Sequence, residues 1–192
     1  MEKMRIRRMT ERNLDGVLSL LGEALGTRFV TRSALSTFVD SSEKAGFVSV
    51  DQNDRVMGAV TSELLPESRD VGELLPDDAR ERVVALIPEL ALNHTCLLRS
   101  IAVSPLARGA GVGTDLIRAS IEHLHSEGAT AVISVGWTDH DGCHVQKPFE
   151  SVGFEQRGDL EDFWKAESLE MGYQCPTCGS PCGTSVTQIE PL

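Results

Sequence analysis

The sequence predicts an α/β (α+β) fold around one main core, and three observations carry that reading. Of 192 residues, 41% are hydrophobic and 24% charged, ordinary globular usage that excludes a disordered or fibrous chain. Just after Met9 the apolar pattern switches from strand-like to helical spacing. A second strand-to-helix junction, at Ser104-Pro105, encloses a glycine-rich turn. At this length one domain with a small appendage is expected: residues 1–168, and a tail over 169–192.

Met4 to Met9 reads as the first strand, and Thr10 as an N-cap ahead of Leu14, Val17, Leu18, Leu21 and Leu25 at helical spacing. Phe29 to Val39 suggests a second helix. Phe47 to Val50 and Val56 to Val60 form a hairpin across Asp51-Gln52-Asn53-Asp54, a strong turn signal. Residues 65–94 hold three prolines and one helix near Asp77 to Ile87, too long for a simple connection, so they read as an insertion. Thr95 to Val103 is a strand, and Gly111 to Glu127 a helix with Val112, Leu116, Ile117, Ile121 and Leu124 on its apolar face. Ala131 to Val135 is a short strand, and His144 to Val152 a helix closed by Gly153. Two last strands are expected at Phe154 to Arg157 and Phe163 to Glu167; beyond Met171 no periodicity remains.

Charge narrows the partners. A net charge of −11 argues against a nucleic-acid-coating surface. The basic residues are 14 Arg and 4 Lys, which with so many carboxylates resembles proteins of salt-loving organisms, although an acidic mesophilic protein fits equally. The longest apolar run, near Val83 to Ile87, is far short of the roughly 18 residues a bilayer span needs, and residues 1–10 lack an apolar leader core. The expected setting is the cytoplasm, with no membrane partner.

The informative segment is Ile101-Ala102-Val103-Ser104-Pro105-Leu106-Ala107-Arg108-Gly109-Ala110-Gly111-Val112-Gly113-Thr114. Its glycines permit positive φ and close approach, so successive N–H groups can converge on an anion at the positive end of a helix. The spacing fails the dinucleotide fingerprint, because Thr114 stands at its last glycine, and no lysine follows as in a P-loop. It does match Arg-x-x-Gly-x-Gly, as Arg108, Gly111 and Gly113. Over Met4 to Glu167 the chain resembles the GCN5-related N-acetyltransferase (GNAT) superfamily.

The resemblance implies a mixed, mostly antiparallel sheet flanked by helices, and transfer of an acetyl group, not an amino-acyl group, from acetyl-CoA to a small-molecule or protein amine. It places the CoA pyrophosphate on Arg108, Gly109, Ala110, Gly111, Val112, Gly113 and Thr114. The pantetheine arm would lie on the splayed strand at Ile101, Ala102 and Val103. The Val103 N–H would polarise the thioester carbonyl.

Acyl transfer also needs a base, since deprotonating a lysine-like amine at pH 7 costs about 4–5 kcal/mol. Glu63, Asp139, His140 and Asp141 are the candidates, each also readable as a solvated surface group. Many relatives carry a tyrosine four residues before the Gly153-Phe154 pair, where it can protonate the leaving thiolate. Here that residue is Phe149, and Gly142 replaces an asparagine often found seven residues earlier. Tyr173 is the single tyrosine and a candidate substitute, as are water and Cys143. The rival reading is a catalytically weak acyl-CoA-binding or metal-binding sensor. Acidic residues of the insertion and of the loop 138–142 suggest a cationic acceptor.

Cys175, Cys178 and Cys182 form a Cys-x-x-Cys-Gly knuckle with a third thiol, half of a zinc-ribbon pattern. A fourth ligand would come from His140, Cys143, His144 or a second chain, which would make a homodimer. A redox pair and a disordered tail with free thiols are the alternatives. Cys96 reads as a small buried hydrophobe. Trp137 and Trp164 read as packing residues, Trp137 also as a wall of an acyl pocket.

Overall fold

The computed structural model describes residues 4–65, 77–87, 95–139, 142–174, 176 and 184–191. Strands β1 (Arg5–Arg8), β2 (Lys44–Val50), β3 (Val56–Leu64), β4 (Thr95–Val103), β5 (Ala131–Asp139), β6 (Gly142–Cys143), β7 (Glu155–Leu160) and β8 (Thr184–Pro191) make one sheet. Their order is β1-β2-β3-β4-β5-β8-β7, with β6 on the end of β5. Every pairing is antiparallel except β4 with β5. The expected mixed, mostly antiparallel sheet is thus present.

The hairpin turn forms because the Asp51 carboxylate accepts from the N–H groups of Asn53 and Arg55, each at 2.9 Å. Helices α1 (Leu14–Leu25) and α2 (Arg32–Ser36) cover one face of the sheet, where Leu14, Val17, Leu21, Leu35, Val48, Val50 and Ala59 share a core. Helix α4 (Val112–Ser126) covers the other face with Leu116, Ile117, Ile121 and Leu124 against Val60, Leu98 and Val132. Gly58 allows that helix to sit directly on β3: a Cβ there would stand 2.8 Å from Leu116 Cδ1. Helix α3 (Asp77–Leu86), the described part of the expected insertion, packs Val83 and Ile87 against Leu97, Ile133, Leu160 and Phe163.

The C-terminal half departs from expectation. Phe163–Glu167 is not a strand; after a turn with Asp162 at φ 57°, residues Lys165–Met171 form helix α6 and stop at Gly172. Lys165-Ala166-Glu167-Ser168-Leu169-Glu170-Met171 is rich in straight-chain helix formers, which outweigh the two aromatics that precede them. Residues 184–191, read as part of an appended tail, instead form β8 between β5 and β7. Long-range pairing, to which local periodicity is blind, decides this. The second helix is also shorter than expected, and α5 (Gln146–Glu150) covers only the middle of its expected span.

Candidate active site

Strands β4 and β5 pair in register from Thr95↔Ala131 to Leu98↔Ser134 and then part. Beyond that point β5 stays with β8 to Thr138↔Thr184, while β4 stays with β3 to Gly58↔Val103. A bulge helps to turn β4 away: Thr61 opposes Ser100 and Ser62 opposes Leu98, so Arg99 is the extra residue. The result is a cleft of about 730 Å³ between the two strands.

One wall of the cleft is bare backbone. Ser104 N–H donates to the Met57 carbonyl at 2.8 Å, on the β3 side. Strand alternation therefore turns the N–H groups of Val103 and Ile101 to the opposite edge, where β5 has left. At the end of this edge Pro105–Ala107 form a single 3-10 turn. Gly109 (φ 75°) and Gly111 (φ 80°) then lead into α4. A Cβ on either glycine would meet nothing within 4 Å. Gly111 is the N-cap and offers no side chain, so the first-turn N–H groups keep the orphan donors of a helix start. The cations of this end are Arg108 and Lys147, both exposed; Asp115 is already paired with Arg118 at 3.2 Å.

Of the ten residues expected to hold the carrier, nine line the cleft; Ala110 packs against the α4-side core instead. The catalytic candidates are placed differently. Glu63 is 2% exposed and does not line the cleft; Arg99 Nη1 donates to its Oε2 at 3.0 Å and Lys44 Nζ lies 3.5 Å from its Oε1. Held by two cations and away from the cleft, Glu63 is not positioned as the base. Cys143 also stays off the cleft, as does buried Cys96, whose thiol burial pushes up to about 12. His140, Asp141, Cys175, Cys178 and Cys182 lie outside the described residues, as does the side chain of Asp139. Among the described residues no group of three or more His, Cys, Asp or Glu could hold a metal ion.

Tyr173 is buried behind the cleft, its ring edge-on to Phe29 at 5.6 Å. Among the described residues its hydroxyl has no partner in hydrogen-bond geometry, yet burial first, and the nearby Glu167 carboxylate second, hold the phenol above its usual range. It is not positioned as the acid. A folded pKa above the unfolded one makes stability fall as pH rises past about 10, where the unfolded phenol ionises. Tyr173→Phe is expected to leave turnover intact, to keep or raise the melting temperature, and to lessen that alkaline loss in a melting series.

The sequence missed much of the opposite wall. Glu23, Ala24 and Leu25 at the end of α1, Phe29 after it, and Trp164 before α6 line the cleft, as do His144 and Ser134. These residues are brought together by tertiary packing: Gly26, which ends α1, lies so close to Gln174 that a Cβ would stand 2.6 Å from its carbonyl oxygen. Trp137, expected as a pocket wall, does line it. No described helix is long and apolar enough to cross a membrane.

Comparison with known proteins agrees with this geometry. A model of the acetyltransferase (GNAT) family matches residues 17–154. No curated protein matches. Among solved structures, a polyamine N-acetyltransferase of Drosophila melanogaster superposes with a TM-score of 0.69 at 14% identity, over 99% of this chain and 100% of that one. A GCN5-related N-acetyltransferase from Kribbella flavida gives 0.64 at 19% identity, over 98% of each chain. The NatC complex bound to Gag peptide and CoA gives 0.67 at 13% identity, over 100% of this chain and 99% of that one. The likeness of fold therefore runs past Glu167, through the strand β8.

Proposed function

The chain belongs to the acetyltransferase (GNAT) family, and from that premise we propose that it moves an acetyl group from acetyl-CoA to an amine. The observation that carries the proposal is the edge of β4 that no described strand pairs beyond Leu98, running into the glycine turn. Two open glycines and the first N–H groups of α4 make a concave row of donors that suits a diphosphate. Arg108 and Lys147 set a local positive field in a protein of net charge −11.

In this reading the turn from Arg108 to Thr114 holds the diphosphate, and Ile101, Ala102 and Val103 align the pantetheine arm along their free edge. Acetyl-CoA supplies an activated acyl group. The Val103 N–H is a fixed dipole for the thioester oxygen as charge develops there, the kind of contact that favours the transition state over the ground state. Among the described residues of the cleft, Glu23 and His144 supply a carboxylate and an imidazole, and they replace Glu63 as the nearest candidates to accept the amine proton.

A second reading, an acyl-CoA-binding module with little turnover, draws on Phe149, which lines the cleft without a hydroxyl. Calorimetry with CoA and thiol release from acetyl-CoA over a panel of amines separate the two: both readings require binding, and transfer requires thiol release that depends on the amine. Arg108→Glu reverses an exposed charge at the diphosphate end and is expected to weaken CoA by about 10- to 100-fold with an unchanged melting temperature. An unchanged dissociation constant would count against the placement.

A further inference from the structure

The bulge on β4 puts Arg99 and Ser100 on the same side of the strand, and both residues line the cleft, as do Leu98 and Ser134 where the strands part. Among the described contacts Arg99 is anchored by Glu63. Its Nη1 donates to Glu63 Oε2 at 3.0 Å, while its side chain remains 39% exposed. Glu63 does not need Arg99 alone for neutrality, because Lys44 Nζ lies 3.5 Å from its other oxygen. Lys44, Glu63 and Arg99 together carry one net positive charge, and of the three Arg99 alone lines the cleft. The next carboxylate, Glu167, feels Arg99 without forming an ion pair with it among the described contacts, and burial raises its pKa.

A guanidinium has five N–H donors in a planar fork, and one of them is accounted for by Glu63. A fork held by a buried carboxylate and presenting its remaining donors to a cleft is preorganised for one more planar anion. The neighbouring walls are apolar and aromatic, with Phe29, Trp137 and Trp164, and Glu23 stands exposed at the rim.

Resting on the acetyl-transfer reading, we infer that the acceptor is a small amino acid with an apolar side chain, its carboxylate seated on Arg99. The carboxylate docks on the guanidinium, the side chain lies against Phe29 and Trp164, and the amine faces the free edge of β4. In the transfer the amine nitrogen forms the new C–N bond, the thioester C–S bond breaks, and the thiolate leaves with the bonding pair. The amine proton passes to the base. Glu63 is a positioning residue in this scheme.

The test compares thiol release, with the full chain and acetyl-CoA, for phenylalanine, its amide and phenethylamine, and for leucine and isoamylamine. The amide has the least basic amine and hence the largest reactive fraction, so preference for the acid cannot come from amine basicity. The acids are expected to exceed their decarboxylated partners by about 10- to 100-fold in kcat/KM, the worth of a charge-assisted hydrogen bond. Arg99→Gln should erase that ratio by lowering the acids alone, with CoA affinity unchanged. Arg99→Lys, which keeps a charge for Glu63 but loses the fork, should keep only part of the ratio. Equal rates for acid and amine in the unaltered protein, or a loss in Arg99→Gln that falls equally on both, would overturn the inference. Transfer to polyamines or peptide N-termini alone, with CoA still bound, would defeat this inference and leave the acetyl-transfer reading standing; failure to bind CoA would remove both.

Discussion

Gly111→Val is expected to weaken CoA binding by about 100-fold or more while the protein stays folded, because two effects separate at this residue. Gly111 holds φ 80° as the N-cap of α4. A β-branched residue is strained there by about 1–2 kcal/mol, which for a chain of this size lowers the melting temperature by about 2–8 °C. Nothing within 4 Å would meet a Cβ, so no core contact adds to that loss. The larger effect falls on the ligand. To relieve the strain the turn must rotate its peptide planes, and the first N–H groups of α4 lose their shared aim. Each charge-assisted hydrogen bond so lost is worth about 1.5–3 kcal/mol. Calorimetry with CoA beside a melting curve reads both quantities. A fall in melting temperature with unchanged affinity would mean that the turn is only a helix start, and the diphosphate site would have to be sought elsewhere.

What the sequence disclosed and what it hid follow from the range of the forces involved. Strand β4 was legible to the residue, Thr95 to Val103, because an apolar run ends at a serine and a proline that cannot continue the ladder. The glycine turn and α4 were legible for a similar reason: positive φ and helical periodicity are local. Glu63 looked like a base because its sequence shows a carboxylate near a strand end, yet its fate depends on Lys44 across one strand pair and Arg99 across the other. The bulge that turns Arg99 to the cleft leaves no mark in the run Leu97-Leu98-Arg99-Ser100, since it is a mismatch between two strands. Strand β8 was hidden differently. Thr184-Ser185-Val186-Thr187-Gln188-Ile189 has the β-branched content of a strand, but it follows a segment rich in Cys, Pro and Gly whose pattern suits metal chemistry instead. Its partners, β5 and β7, lie far back along the chain.

Phe149→Tyr is expected to raise kcat by about 100-fold, the lower end of what a positioned general acid contributes. Phe149 sits on α5 with its ring 4.5 Å from that of Phe154, fully buried from water yet part of the cleft lining. Many relatives carry a tyrosine at this position, and among the described residues Tyr173 is packed behind Phe29 and Cys143 does not line the cleft. If the thiolate leaves unprotonated in the unaltered protein, a hydroxyl at this ring would lower the barrier to its departure. The sign of the pH dependence then identifies the cause. A phenol must be protonated to donate, so kcat of the variant should fall as pH rises through the tyrosine range near 10, a limb that the unaltered protein lacks. Stability moves the other way, since a buried hydroxyl without a partner costs about 1–3 kcal/mol. Phe149→Leu, which removes the ring and adds no donor, should destabilise the protein without any gain in rate. A tyrosine variant with a lowered melting temperature and an unchanged kcat would place the para position in the core, and would mean that water protonates the leaving group.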